Sequence, residues 1–217
     1  VRPLIALVRY LASDLLRSQR FLLPILLYVL LLAPLFKEDP GPPPQSWTVT
    51  ALALYPVSCW LAVIVANTED SGQRDVTIAA AGRRGRVAAG VLLTCLLADL
   101  LLVAVAVCWP MLTTGYAFSA HVVVAGVLGH AAVASTGTAI GLVCGRPVVR
   151  SVGWSVVLAG GALFLTVSQP WLPPVGSTLD ALSGTAASTL TLAAQAAIGL
   201  VLSGAAAGVT AFVQGRR

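Results

Sequence analysis

Charged side chains are scarce in this 217-residue chain: Asp, Glu, Lys and Arg together make up 10% of it, and the single lysine is Lys37. A soluble globular domain carries roughly 25% charged residues, so a water-soluble enzyme is excluded first. The four cysteines (Cys59, Cys95, Cys108 and Cys144) contain no C-x-x-C pair, which argues against a disulfide framework or a zinc site. They read as small buried hydrophobes. The two histidines, His121 and His130, are too far apart on one helix to chelate a single ion, because their spacing puts them on opposite faces. The chain also lacks a G-x-x-x-x-G-K phosphate loop, an H-E-x-x-H pair, a G-x-S-x-G elbow and any cluster of carboxylates in its apolar runs. It is therefore expected to hold neither ATP nor metal and to catalyse nothing itself.

What is present is apolar. Hydrophobic residues make up 58% of the sequence and the mean hydropathy is +0.91, values that describe an integral membrane protein. The opening residues, interrupted by charge through Arg20, do not read as a cleavable secretory signal. Six stretches approach the length needed to span about 30 Å of hydrocarbon: Phe21 to Phe36, Val49 to Ala66, Val87 to Trp109, Ala120 to Val143, Ser151 to Ser168 and Thr189 to Val213. The expected fold is thus all-α, with a six-span domain over 21–217.

The basic residues fix its orientation. Twelve of the 13 fall in the N-terminal segment, the second and fourth connections and the C-terminus, leaving Lys37 by itself on the other side. Positive residues stay on the cytoplasmic side, so both termini are expected there, in a bacterial-type cytoplasmic membrane. The excess of positive charge is then an orientation signal and not a nucleic-acid footprint. Residues 1–20 place Leu4, Leu7, Val8, Leu11 and Leu15 on one stripe with Arg2, Arg9, Ser13 and Arg20 opposite, as in a helix lying in the interface. A basic leader that only orients the first span is the plainer alternative. The outer connections are proline-rich, with Trp47, Trp109 and Trp171 placed for an aromatic belt, and the outer loop 169–188 is amphipathic enough to re-enter. Gly137, Gly141 and Gly145, and likewise Gly204 and Gly208, recur at every fourth position, a pattern that lets helix backbones pack closely.

One residue stands out in the hydrocarbon. Asp99 lies near the middle of the third apolar stretch, where a central Asp is unfavourable by roughly 2.5–3.5 kcal/mol. It is expected to face the bundle interior, either on a translocation path together with Gln195 or as a structural tie to Gln195 or Thr136.

The loop 67–86, NTEDSGQRDVTIAAAGRRGR, concentrates charge between two apolar runs. Asp70 followed by Gln73 reads as a helix start and Gly82 as a stop. A solvated loop that merely sets orientation accounts for the arginines, but not for the acids, the caps or the run Val76 to Ala81. This order of basic amphipathic helix, six spans and a short capped helix between spans two and three resembles the permease subunits of type 2 ABC exporters. Glu69, Arg74, Thr77 and Arg83 or Arg86 match the family's loop pattern, while Asp75 stands where Gly is usual and alanines replace leucines. The resemblance implies a coupling helix that docks on a separate cytoplasmic ATPase, which carries the ATP and Mg. It also implies a second permease half, identical or homologous. The residues it singles out for coupling are Glu69, Asp70, Arg74, Asp75, Val76, Ile78 and Arg83, with Glu69 and Arg74 expected to pair with the partner's charges. The rival from another class is a proton-coupled secondary transporter using Asp99; a membrane-embedded enzyme comes third. The cargo, whether peptide, antibiotic, lipid or haem, is not written in the sequence.

Overall fold

A computed structural model describes residues 2–37, 41–184 and 188–216, with only the backbone of Arg2 and Ser71. Every regular element among the described residues is a helix. The first proline-rich connection is described only in part, because Glu38, Asp39 and Pro40 lie outside these ranges, as does Arg217.

Helix α1 (Arg2–Ser18) buries Leu7, Leu11 and Leu15 and turns Arg9, Ser13 and Arg17 outward. Gln19, at a φ of 54°, turns the chain, and α2 (Leu22–Leu35) leaves at 73° to α1. The helices α3 (Ser46–Ala66), α5 (Arg84–Thr113), α6 (Ala120–Cys144) and α9 (Thr189–Gly215) are each long and apolar enough to cross a membrane. The bent pair α1 and α2 makes a fifth candidate if it counts as one span. Helix α2 has 14 residues and α7 (Val152–Val167) has 16, or about 21 and 24 Å, both short of about 30 Å of hydrocarbon. Pro34 and the proline-rich stretch end α2, while Arg150 precedes α7 and Pro170 follows it. Exposed leucines on α2 and exposed Val156, Val157, Phe164 and Leu165 on α7 form apolar faces of a kind that water does not tolerate and lipid does.

Helix α6 is the hub, packed chiefly between α3 and α9. A Cβ added at Gly137 would sit 2.5 Å from the Tyr55 carbonyl oxygen, one at Gly141 would overlap the Cys59 carbonyl oxygen, and one at Gly145 would press on Ala66 at 2.7 Å. The first glycine ridge therefore does what its spacing implies. The second does not: Gly204 and Gly208 face open space. The buried stripe of α9 is Leu192, Ala196, Gly199, Ser203, Ala206 and Thr210, which rotates Gly204 and Gly208 away from α6. The close approach comes instead at Gly199, against the Ala132 carbonyl oxygen.

Short α8 (Val175–Ser183) packs residues 169–184 of the connection after α7 onto the bundle, burying Val175 and Leu182, with Leu182 in the notch left by Gly129. Trp47 is not at a belt surface as its position implied. It is fully buried, lodged against Gly126 with the Phe118 ring tilted against it and His130 edge-on, whereas Trp109 is half-buried and Trp171 exposed.

Candidate functional site

The connection between α3 and α5 forms its own helix, α4 (Ser71–Ala81). At its start Asp70 accepts from the Gln73 N–H at 2.7 Å, and at its end Gly82 takes the left-handed conformation (φ 73°) and donates to the Ile78 carbonyl. A side-chain cap of this kind contributes about 1 kcal/mol. Both caps are those the sequence implies.

Its facing differs from expectation. Arg74, Thr77, Ile78 and Ala81 share one stripe, turned toward the bundle, whereas Asp75, Val76, Ala79 and Ala80 are exposed. Glu69 and Arg74, expected to meet a partner's charges, are 2% and 8% exposed and face each other. Thr77 donates to Glu69 Oε1 at 2.6 Å, and Arg74 Nη2 donates to the Ala66 carbonyl at 3.0 Å. Arg74 Nε and Glu69 Oε2 stand 3.8 Å apart, an ion pair without a hydrogen bond. Burial pulls the proton affinity of the Arg74 guanidinium below its usual range, Glu69 opposes that shift, and nearby Arg146 adds to it. The pair fastens α4 to the end of α3. A third tie runs to α1, where Gln73 Nε2 donates to the Tyr10 hydroxyl at 2.5 Å.

The helix ends on this side border a half-open cavity of about 790 Å³. Glu69, Asp70, Arg74, Asp75 and Ile78 line one side, and Arg84, Arg146 and Arg150 come from the start of α5 and the connection after α6. Arg83 lies in a neighbouring open groove with Arg84 and Arg86, and Val76, 69% exposed, points outward from α4. Sequence reasoning treated Arg146 and Arg150 only as orientation signals, since nothing in their spacing reveals that the chain returns to Arg84.

Within the bundle Asp99 is buried, and its Oδ2 accepts from Thr138 of α6 at 2.6 Å. Thr136, one of the expected partners, instead bonds its own helix at the Ala132 carbonyl, and Gln195 is half-buried with Oε1 unbonded. The buried Ser58 hydroxyl on α3 neighbours the Asp99 carboxyl as well, although it and Oδ1 fall outside hydrogen-bond geometry. A second polar knot, missed from sequence, joins α3 and α6: His130 Nδ1 lies 2.7 Å from the Gly126 carbonyl and Nε2 lies 2.9 Å from the Thr50 hydroxyl. Among the described residues no three His, Cys, Asp or Glu gather to hold a metal ion.

Compared with known proteins, the chain matches no family model, no curated protein and no solved structure.

Proposed function

We propose that this chain is the membrane-spanning permease subunit of an ATP-driven exporter. In this reading α2 and α7 also cross the bilayer, giving six spans with both termini cytoplasmic in a bacterial-type inner membrane. A second permease half completes the path, and hydrolysis occurs on separate ATPase chains. The observation that carries the reading is α4: a helix capped at both ends, fixed to α3 through Arg74 and Glu69 and to α1 through Gln73, that still presents Asp75, Val76, Ala79 and Ala80 outward. A loop that served only to set orientation would need neither caps nor buried ties. Rigid attachment is what lets force applied at one surface move the spans on either side.

The docking set is accordingly Asp70, Asp75, Val76 and Arg83, with Ile78 half-buried beneath it and Glu69 and Arg74 holding the helix in place. The test is affinity capture of the tagged chain from its native membrane in mild detergent, with and without Val76→Asp and Arg83→Glu. The expected result is an ATPase chain bearing a phosphate loop that co-purifies with the unaltered protein and is lost from both variants. Its absence from the unaltered protein sinks the reading.

The proton-coupled alternative draws on Asp99, whose Oδ1 is unbonded in the bundle. That alternative gives no role to the caps and buried ties of α4, and the ATP-driven reading accounts for more of the chain.

A further inference from the structure

The cavity beside α4 brings together positive groups from separate elements: Arg84 at the start of α5, and Arg146 and Arg150 on the connection between α6 and α7. The acids that share it are mostly committed. Glu69 is engaged with Arg74 and Thr77, and Asp70 caps α4, which leaves Asp75 as the uncommitted acid on the α4 side. The Arg84 side chain extends across to the end of α9, where a Cβ on Gly215 would lie 3.3 Å from Nη1. Arg146 is close enough to Arg74 for the two like charges to repel. Crowded guanidinium groups with too few acids repel one another, and an anion seated among them relieves that repulsion. The only ion pair among the described residues is Arg74 with Glu69.

Behind it the packing closes: Arg74, Arg146, Pro147 and Gln214 also border a void of only about 10 Å³ walled by Val87, Val91 and Leu142, which leaves no room there for an acyl chain. A cationic cavity at the level where α5 begins and α6 and α9 end lies, in the reading above, where anionic lipid headgroups meet the protein and their tails do not. We propose that this cavity binds a phosphate group, and that its occupant is the headgroup of an anionic phospholipid. The proposal rests on reading this end as the cytoplasmic membrane surface, as above, but not on any ATPase partner.

The test uses the full chain, purified in neutral detergent, stripped of lipid and titrated with phosphatidylglycerol or phosphatidylcholine under native mass spectrometry. Phosphatidylglycerol is expected to be retained at one per chain in preference to phosphatidylcholine. Each of Arg84→Gln, Arg146→Gln and Arg150→Gln is expected to weaken that binding about fivefold, as near-surface basic residues contribute about 1 kcal/mol each. Arg17→Gln, on the exposed face of α1, is expected to leave it unchanged. Asp75→Asn should tighten binding, which keeps the proposal testable if an arginine variant folds poorly. A parallel thermal-shift titration with inorganic phosphate separates the sources. Protection by phosphate with the same arginine dependence supports the site with a soluble occupant, and retention of the lipid alone assigns it to the bilayer. Equal retention of the two lipids, or equal losses in Arg17→Gln and the cavity variants, overturns the proposal.

Discussion

Arg74 shows how far a single position can mislead a linear reading. Its charge marks it for the surface, yet it is buried against Glu69 and the Ala66 carbonyl. A guanidinium stem packed beneath a short helix leaves no hydrophobic signature, so periodicity could not reveal it. Removing one member of a buried pair costs about 3–5 kcal/mol, because the other charge is stranded. Arg74→Ala should therefore loosen α4 and speed trypsin cleavage in detergent after Arg83 and Arg84, which are exposed but held in ordered backbone, whereas Glu69→Gln combined with Arg74→Gln should restore part of the protection. Identical cleavage of the single variant and the unaltered chain would remove the pair from this role. Asp99 is the opposite case: its position was legible as a lone charge in an apolar run, but its partner was not. Ser135, Thr136 and Thr138 lie within about one turn of α6, and only the rotation of that helix selects Thr138. Asp99→Asn should retain yield, since an amide oxygen still accepts from Thr138, and Asp99→Leu should lower it. Lost transport by Asp99→Asn at normal yield would place the group on the path.

At the scale of elements, the long helices lie within a few residues of the apolar stretches, because hydropathy and length together leave little choice for a 20-residue run. Their ends were harder, since α2 and α7 are cut short by proline and by flanking polar residues. The caps of α4 were legible because Asp70 and Gly82 act locally. Gly82→Val forces a branched side chain into a left-handed backbone, at a cost of roughly 1–2 kcal/mol, and should speed amide hydrogen exchange at the end of α4. The glycine ridges separate what spacing can tell from what packing decides. Gly141→Leu is expected to lower thermal stability by about 1–3 kcal/mol or more through overpacking, and Gly204→Leu to be tolerated in the isolated chain. Comparable losses at both positions would contradict the packing of α9.

For the whole molecule, the segregation of basic residues implied one end of the bundle, and Arg74, Arg84, Arg146 and Arg150 do meet at a single cavity there. In a background freed of native cysteines, a membrane-impermeant thiol reagent applied from outside should label cysteines placed at Gln45 and Asp180 and spare those at Gly82 and Gln214. External labelling at Gly82 would invert the topology. The contact of Gly137 and Gly141 with the carbonyls of α3 also bears on movement. Helices separated by side chains can slip as rotamers change, but here backbone meets backbone and no layer remains to act as a bearing. Turning α6 about its axis by one residue, about 100°, would bring Thr136 and Ile140 toward those carbonyls. The two helices are therefore expected to move as one plate, with α4, hung from the end of α3 by Arg74 and Glu69, carried on it like the handle of a rigid door.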